Sequence, residues 1–110
     1  MTRLQDTEGQ FDFFAQVLPL PVDKGGRRHP ALFDGFVVQL HRPSDPPGHY
    51  VDVCVNTPNA DDVAPGQYAR VGLRFLSRDE SLLSWAETVG ASFTLAEGLR
   101  TIAEGVIATR

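Results

Sequence analysis

The feature of the sequence that most constrains the fold is the repeated interruption of alternating stretches by glycine and proline. Apolar and polar residues alternate over short runs, as in Val51–Val55, where valine occupies every second position. Such alternation is typical of strands that bury one face. The runs are separated by breaks at Gly25-Gly26, Pro43–Gly48 and Pro65-Gly66. Short strands divided by turns of this kind favour an antiparallel sandwich or a closed barrel.

The pattern predicts six strands and one short helix. The strands are expected at Phe11–Leu18, Phe36–His41, Tyr50–Val55, Tyr68–Leu76, Ala91–Ala96 and Arg100–Ala108. Glu97–Leu99 has the length and the glycine of a hairpin turn between the last two strands. A helix is predicted near residues 80–89. Asp79 or Ser81 can cap its first turn, and Gly90 can end it.

Composition sets the size and the class of the protein. The chain has 110 residues, which is enough for one domain with its own core. Residues 1–10 are polar and aperiodic, so we expect a flexible N-terminal arm before a barrel domain over residues 11–110. The net charge of −4 argues against a protein whose main task is to wrap a nucleic-acid backbone.

The sequence gives no sign of secretion or of a membrane span. The first residues lack the apolar run of a signal peptide, and no stretch approaches the ~20 apolar residues that a spanning helix needs. Cys54 is the single cysteine, so no internal disulfide can form. We therefore expect a cytoplasmic protein with no membrane partner.

Four blocks of the chain occur in the order and spacing of a known domain. They are Phe13–Leu18 with Asp23–Arg27 and Pro30, then Gly35-Phe36 with Gln39, then Pro65-Gly66, and last Phe93–Gly105. Together they resemble the third domain of elongation factor Tu, from about Phe13 to Thr109. The resemblance implies a six-stranded antiparallel Greek-key barrel. The phosphate-binding, magnesium-binding and guanine-reading motifs of that family's GTPase do not occur here, so we expect no GTP binding.

The leading hypothesis is a stand-alone, non-enzymatic module that docks on a protein or ribonucleoprotein partner. The resemblance supplies the link with translation. Apolar and aromatic anchors provide most of the affinity at interfaces, and arginines orient the partner. The predicted partner-binding residues are Arg27, Arg28, Leu82, Trp85 and Arg100.

Four of these residues also have a structural interpretation. Arg27 can pair with a nearby carboxylate and hold one mouth of the barrel together. Leu82 and Trp85 can pack the short helix onto the barrel as a cap. Glu97 and Arg100 can form a local ion pair across the hairpin, which contributes little where it is exposed.

Two alternatives use other surfaces. An RNA-binding module would use Tyr68, Arg70 and Arg74, which share one face of a predicted strand and can stack on bases and contact phosphates. Such a module would bind tRNA or another RNA with part of the family's tRNA surface, since Val37-Val38 and Ala96 differ from the residues at the family's corresponding positions. An inhibitor or immunity-type protein that mimics the surface of the translation factor fits the sequence equally well.

Catalysis and metal binding have little support in the sequence. Cys54 could act as a nucleophile with His41 or His49 as its base, but no known catalytic signature surrounds it. A buried cysteine more often serves as a small apolar residue. His29, His41 and His49 lack the paired spacing of metal ligands. We therefore predict no catalytic residue, no cofactor and no metal.

Overall fold

The computed structural model describes residues 12–77 and 79–109, and it shows a closed barrel of six antiparallel strands. The strands are β1 (Phe13–Pro19), β2 (Val37–His41), β3 (Val51–Asn56), β4 (Ala69–Phe75), β5 (Ser92–Glu97) and β6 (Arg100–Ala108). One helix, α1 (Glu80–Trp85), and two 3-10 turns, Val22–Lys24 and Pro58–Ala60, complete the structure. The predicted all-β barrel is confirmed, and the predicted arm at residues 1–10 lies outside the described residues.

The strand order explains how the chain closes the barrel. Around the barrel the order is β1-β4-β3-β2-β5-β6, and β6 also pairs with β1. Because β2, β3 and β4 are consecutive neighbours and β1 lies beside β4, these four strands form a Greek key. Two long connections must therefore cross the barrel, residues 20–36 from β1 to β2 and residues 76–91 from β4 to β5. They lie at opposite ends because β1 and β4 are antiparallel.

The core follows from the alternation in the sequence. Phe13, Ala15 and Val17 of β1 point inward and are almost completely buried, as are Val53 and Val55 of β3. The same holds in the other strands for Val38, Leu40, Val71, Leu73, Phe75, Phe93, Leu95, Ile102 and Ile107. One position in this wall must be glycine. A Cβ on Gly105 of β6 would lie 2.5 Å from Cζ of Phe93, the inward residue opposite it on β5.

The connection between β4 and β5 closes what we call the helix end of the barrel. Asp79 caps α1, because its carboxylate accepts a hydrogen bond from the backbone N–H of Leu82 at 2.9 Å. Leu82 lies in the core, and the ring of Trp85 meets Phe13 and Phe93 edge-on at 5.7 and 5.9 Å between centroids. The helix is shorter than predicted, since residues 86–90 form turns that end at Gly90 with a φ of 89°.

The connection between β1 and β2 closes the opposite, loop end. Gly26 is packed so closely that a Cβ would overlap the carbonyl oxygen of Leu20. Next to it, Arg27 stretches over the ring of Phe36, with 4.6 Å from its guanidinium carbon to the ring centroid. Nη1 of Arg27 donates a hydrogen bond to Oε2 of Glu97 at 2.6 Å. The glycine pair thus brings the backbone into a position from which Arg27 spans the barrel mouth.

Candidate binding groove on the barrel wall

A groove of about 450 Å³ runs across the outer surface of β1, β6, β5 and the end of β2. We call it the wall groove. Its lining consists of Gln16, Leu18, His41, Pro43, Tyr68, Ser92, Phe93, Thr94, Glu104, Gly105 and Val106. Most of these residues occupy the outward positions of the strands. The alternation that directs every second side chain into the core therefore directs these side chains into the groove.

The strand register determines how the groove is laid out. Four of its residues stand side by side in one row across four strands: Leu18, Glu104, Thr94 and His41. Tyr68 extends this row beyond Leu18, because it directly precedes the first residue of β4, which neighbours β1. Since adjacent strands lie about 4.8 Å apart, the row of five side chains is about 19 Å long.

The groove combines accessible apolar surface with hydrogen-bonding groups. Tyr68 is 69% exposed and Val106 is 41% exposed, although both are large apolar side chains. Gln16 and Ser92 lie on either side of Val106 in the next row of the sheet. An apolar surface flanked by a few polar groups is the usual composition of a binding site.

One carboxylate dominates the charge of the groove. Glu104 is exposed, and its carboxylate makes no hydrogen bond or ion pair with the residues that the structure describes. No lysine or arginine is among the lining residues. His41, at the far end of the row, donates from Nδ1 to the carbonyl oxygen of His49 at 2.9 Å, and its ring lies 5.5 Å from that of Tyr50. This bond holds the imidazole in place at the edge of the groove.

The structure separates the five predicted partner-binding residues into two groups. Arg27, Arg28 and Arg100 lie at the loop end, where Glu97 also forms an ion pair with Arg100, with 3.5 Å between its Oε1 and the Nη2 of the arginine. The structural interpretation of Arg27 as a partner of a nearby carboxylate is thus confirmed. Arg28 is exposed in the same connection. Leu82 and Trp85 belong to the opposite end, so the five residues do not form one surface.

The helix residues act first as a cap. Leu82 is only 4% exposed, because it points into the core, and it cannot serve as a surface anchor in this structure. Trp85 is half-buried against Phe13 and Phe93, and the guanidinium of Arg42 lies 5.8 Å from its ring. Most of the apolar surface of Leu82 and Trp85, which the sequence suggests as an interaction anchor, is therefore used in packing against the barrel.

A partly buried ion pair between Arg42 and Asp45 supports the helix end. Arg42 donates three hydrogen bonds to the two oxygens of Asp45 from Nε and Nη2, at 2.8 to 3.2 Å, and its backbone N–H donates a fourth. Burial opposes ionisation of this carboxyl, yet the hydrogen bonds from Arg42 prevail and hold the pKa of Asp45 below its usual value. The hydrogen bonds from the Leu82 backbone N–H and the Ser81 hydroxyl likewise lower the pKa of Asp79.

The three predicted RNA-binding residues have different surroundings. Arg70 lies over the ring of Phe14 at 4.6 Å and donates from Nη2 to the carbonyl oxygen of Thr109 at 2.6 Å. Arg74 is half-buried, and its Nε has no hydrogen-bond partner among the described residues. Tyr68 lines the wall groove and is 69% exposed.

The residues considered for catalysis do not converge. Cys54 is buried and stands opposite Val37 at the start of β2, whereas His41 stands at the end of that strand. Four residues of extended chain separate the two positions by about 13 Å. Among residues 12–77 and 79–109, no group of three or more histidine, cysteine or acidic residues is placed to hold a metal ion. No described helix is long and apolar enough to cross a membrane.

Comparisons with known proteins identify no family for the chain. No protein-family model matches the sequence. No curated protein matches it at a significant level.

Proposed function

We propose that the barrel is a binding module that holds a short segment of a protein partner in the wall groove. The observation that carries this proposal is the accessible apolar surface of Leu18, Tyr68 and Val106, set beside the polar side chains of Gln16 and Thr94. Aromatic residues are enriched at the centres of interfaces, and polar neighbours fix the orientation of what binds there.

The dimensions of the groove fit an extended segment. The row from Tyr68 to His41 is about 19 Å long, and an extended chain advances about 3.3 Å per residue. The groove therefore has room for a segment of about six residues. A segment of this length can place two or three side chains against the apolar surface of the groove.

The residue blocks that resemble the third domain of elongation factor Tu support a more specific version. On this hypothesis the module is non-enzymatic, resides in the cytoplasm, and docks on a protein or ribonucleoprotein partner connected with translation. In an alternative version, the protein is an inhibitor or immunity-type protein that mimics the translation factor. Its surface would then compete with the translation factor for the same partner. Both versions use the exterior of the barrel, so the same groove variants test them.

A peptide selection tests the proposal without knowledge of the partner. The purified chain is panned against a phage-displayed library of random peptides, and the affinity of the selected peptides is measured by fluorescence anisotropy. Val106→Asp should weaken binding at least about tenfold, because it places a charge on the apolar surface, and Tyr68→Ala should weaken it by a similar factor.

A matched control comes from the start of β2, at the loop end of the barrel. Val37 is 47% exposed, close to the 41% of Val106, and it also points outward from a strand but lies outside the groove. Val37→Asp should leave the affinity of the selected peptides unchanged. Equal effects of the two substitutions, or failure to select any peptide that depends on Val106, would contradict the proposal.

RNA binding is tested with the same preparations, since the exposed ring of Tyr68 could stack on a base. This hypothesis expects a single-stranded RNA to bind with strong dependence on salt, and to be lost in Arg70→Ala and Arg74→Ala. Binding of peptides that is insensitive to these two substitutions would favour the protein partner.

A further inference from the structure

We infer that the wall groove selects a partner segment that carries a lysine or arginine, and that Glu104 binds this side chain. The inference rests on the proposed function, because it names the chemistry of the segment that the groove would hold. It is carried by the position of Glu104, by the lack of a partner for its carboxylate among the described residues, and by the apolar side chains of Leu18 and Val106 beside it.

The position of Glu104 is central. It stands third in the row of five, with Leu18 on one side and Thr94 on the other. Any segment that lies along the row must pass over this carboxylate. Its chemistry therefore determines which charge the segment can carry at its middle.

The carboxylate is available. It makes no hydrogen bond or ion pair with the described residues. On the neighbouring row, Arg70 stands opposite Gln16, and its Nη2 is directed to the carbonyl oxygen of Thr109. Among the described residues, no ion pair has to be broken before a cation can bind the carboxylate of Glu104.

The surroundings favour a long basic side chain over a small cation. The methylene stem of a lysine or arginine can cover Leu18 while its head reaches Glu104. The ring of Tyr68, one position beyond Leu18, offers a face on which a guanidinium or an ammonium group binds well. An acidic segment, or the phosphates of RNA, would meet the repulsion of Glu104 in the same place.

The test compares substitutions of opposite effect at one position. Glu104→Gln keeps the size of the side chain and removes its charge, and it should weaken the selected peptides up to about fivefold, as expected for a solvent-accessible pair. Glu104→Lys replaces attraction by repulsion and should weaken them about tenfold or more. A new selection on Glu104→Lys should yield peptides enriched in aspartate and glutamate.

Two controls separate the local charge from net charge and from folding. Glu87→Lys changes the net charge equally at an exposed glutamate outside the wall groove, and it should leave binding unchanged. Replacing the basic residue of a selected peptide by norleucine should lower the affinity of the peptide for the wild type. It should leave its affinity for Glu104→Gln unchanged. Thermal unfolding followed by circular dichroism should show the same midpoint for all variants.

The outcomes distinguish this inference from the proposed function. Peptides that depend on Val106 but show no enrichment in basic residues, or that bind Glu104→Lys as well as wild type, overturn the inference and leave the groove as a binding site. Equal losses in Glu87→Lys and Glu104→Lys overturn it too. Failure to select any peptide that depends on Val106 overturns both, and so does RNA binding that is strengthened by Glu104→Lys.

Discussion

The two ends of the barrel perform the same topological task with different chemistry. At the helix end, α1 inserts Leu82 into the core and lays Trp85 against Phe13 and Phe93. At the loop end, the outer layer is an arginine, Arg27, which lies over an aromatic ring and pairs with Glu97. One closure depends on buried apolar volume, whereas the other depends on backbone conformation, charge and the stacking of a guanidinium.

This difference teaches which changes each end can tolerate. Loss of buried volume leaves a cavity wherever the surrounding chain cannot collapse into it. An ion pair that is partly exposed to water contributes little by itself and is weakened by salt. The helix end should therefore respond most strongly to truncation, and the loop end to ionic strength.

The largest effect is expected from truncation of the aromatic residue at each end. Trp85→Ala should lower the free energy of unfolding by about 2–4 kcal/mol, because it removes contacts with two core rings. Phe33→Ala is the matched change at the loop end, where a half-buried ring stacks on Phe36 at 4.4 Å. It should cost about 1–2 kcal/mol. Urea unfolding followed by circular dichroism measures both, and equal losses would remove the distinction between the ends.

A smaller effect is expected at the ion pair of the loop end. Side chains of Arg27 and Glu97 are 24% and 41% exposed, so Arg27→Ala should cost only about 1 kcal/mol, divided between the pair and the stacking on Phe36. Arg27→Lys should recover the charge but only part of the stability, since an ammonium does not stack as a planar guanidinium does.

The dependence of stability on salt distinguishes the contribution of Arg27 from that of Trp85. Unfolding in urea at low and at high NaCl should show that the contribution of Arg27 shrinks with salt, while that of Trp85 does not. Arg100→Ala serves as the control, because Arg100 contacts the same carboxylate at 3.5 Å from a more exposed position. A salt dependence of equal size in the Trp85→Ala background and the Arg27→Ala background would contradict this assignment.

The smallest expected effect is a loosening of the helix end in acid. Hydrogen bonds to Asp79 and Asp45 lower the pKa of both carboxyls in the folded chain. Their stabilisation is therefore complete above the pKa of an unfolded aspartate, about 3.9, and is lost as the pH falls through the lower pKa of the folded state. Hydrogen exchange read by mass spectrometry should show residues 79–91 losing protection before residues 20–36 below about pH 4.

Substitutions identify the groups responsible. Asp79→Asn should reduce the acid response of residues 79–91, since an asparagine keeps the cap and does not titrate. Asp61→Asn, at an exposed aspartate of the loop end, should leave the response as it is. Earlier loss of protection at residues 20–36 would contradict the assignment of the acid response to the helix end.

The fold could be predicted from the sequence more fully than the site, for physical reasons. Alternation and turn residues are local signals, and each of the six predicted strands overlaps an observed one. Asp79, rather than Ser81, proves to be the cap of α1, and Ser81 donates its hydroxyl hydrogen to the same carboxylate. The partner of Arg27 could not be named, because Glu97 lies 70 positions away along the chain.

Local signals of this kind do not predict the wall groove. Its row joins β1, β6, β5 and β2, and only the closed strand order brings these four strands side by side. Tyr68 was singled out for its aromatic ring and its neighbouring arginines. Glu104 and Val106 were missed, although both occupy outward positions of the last predicted strand, because outward positions usually face only water.

Closure of the sheet also limits how any partner can be recognised. Every strand of the barrel is hydrogen-bonded to two others, so none offers a free ladder of N–H and C=O groups to a visiting strand. Recognition by main-chain pairing, which tolerates almost any sequence, is thus closed to this surface. A partner bound on this surface must be recognised by side chains. The specificity of the surface can therefore change, in evolution or by design, one residue at a time without altering the barrel.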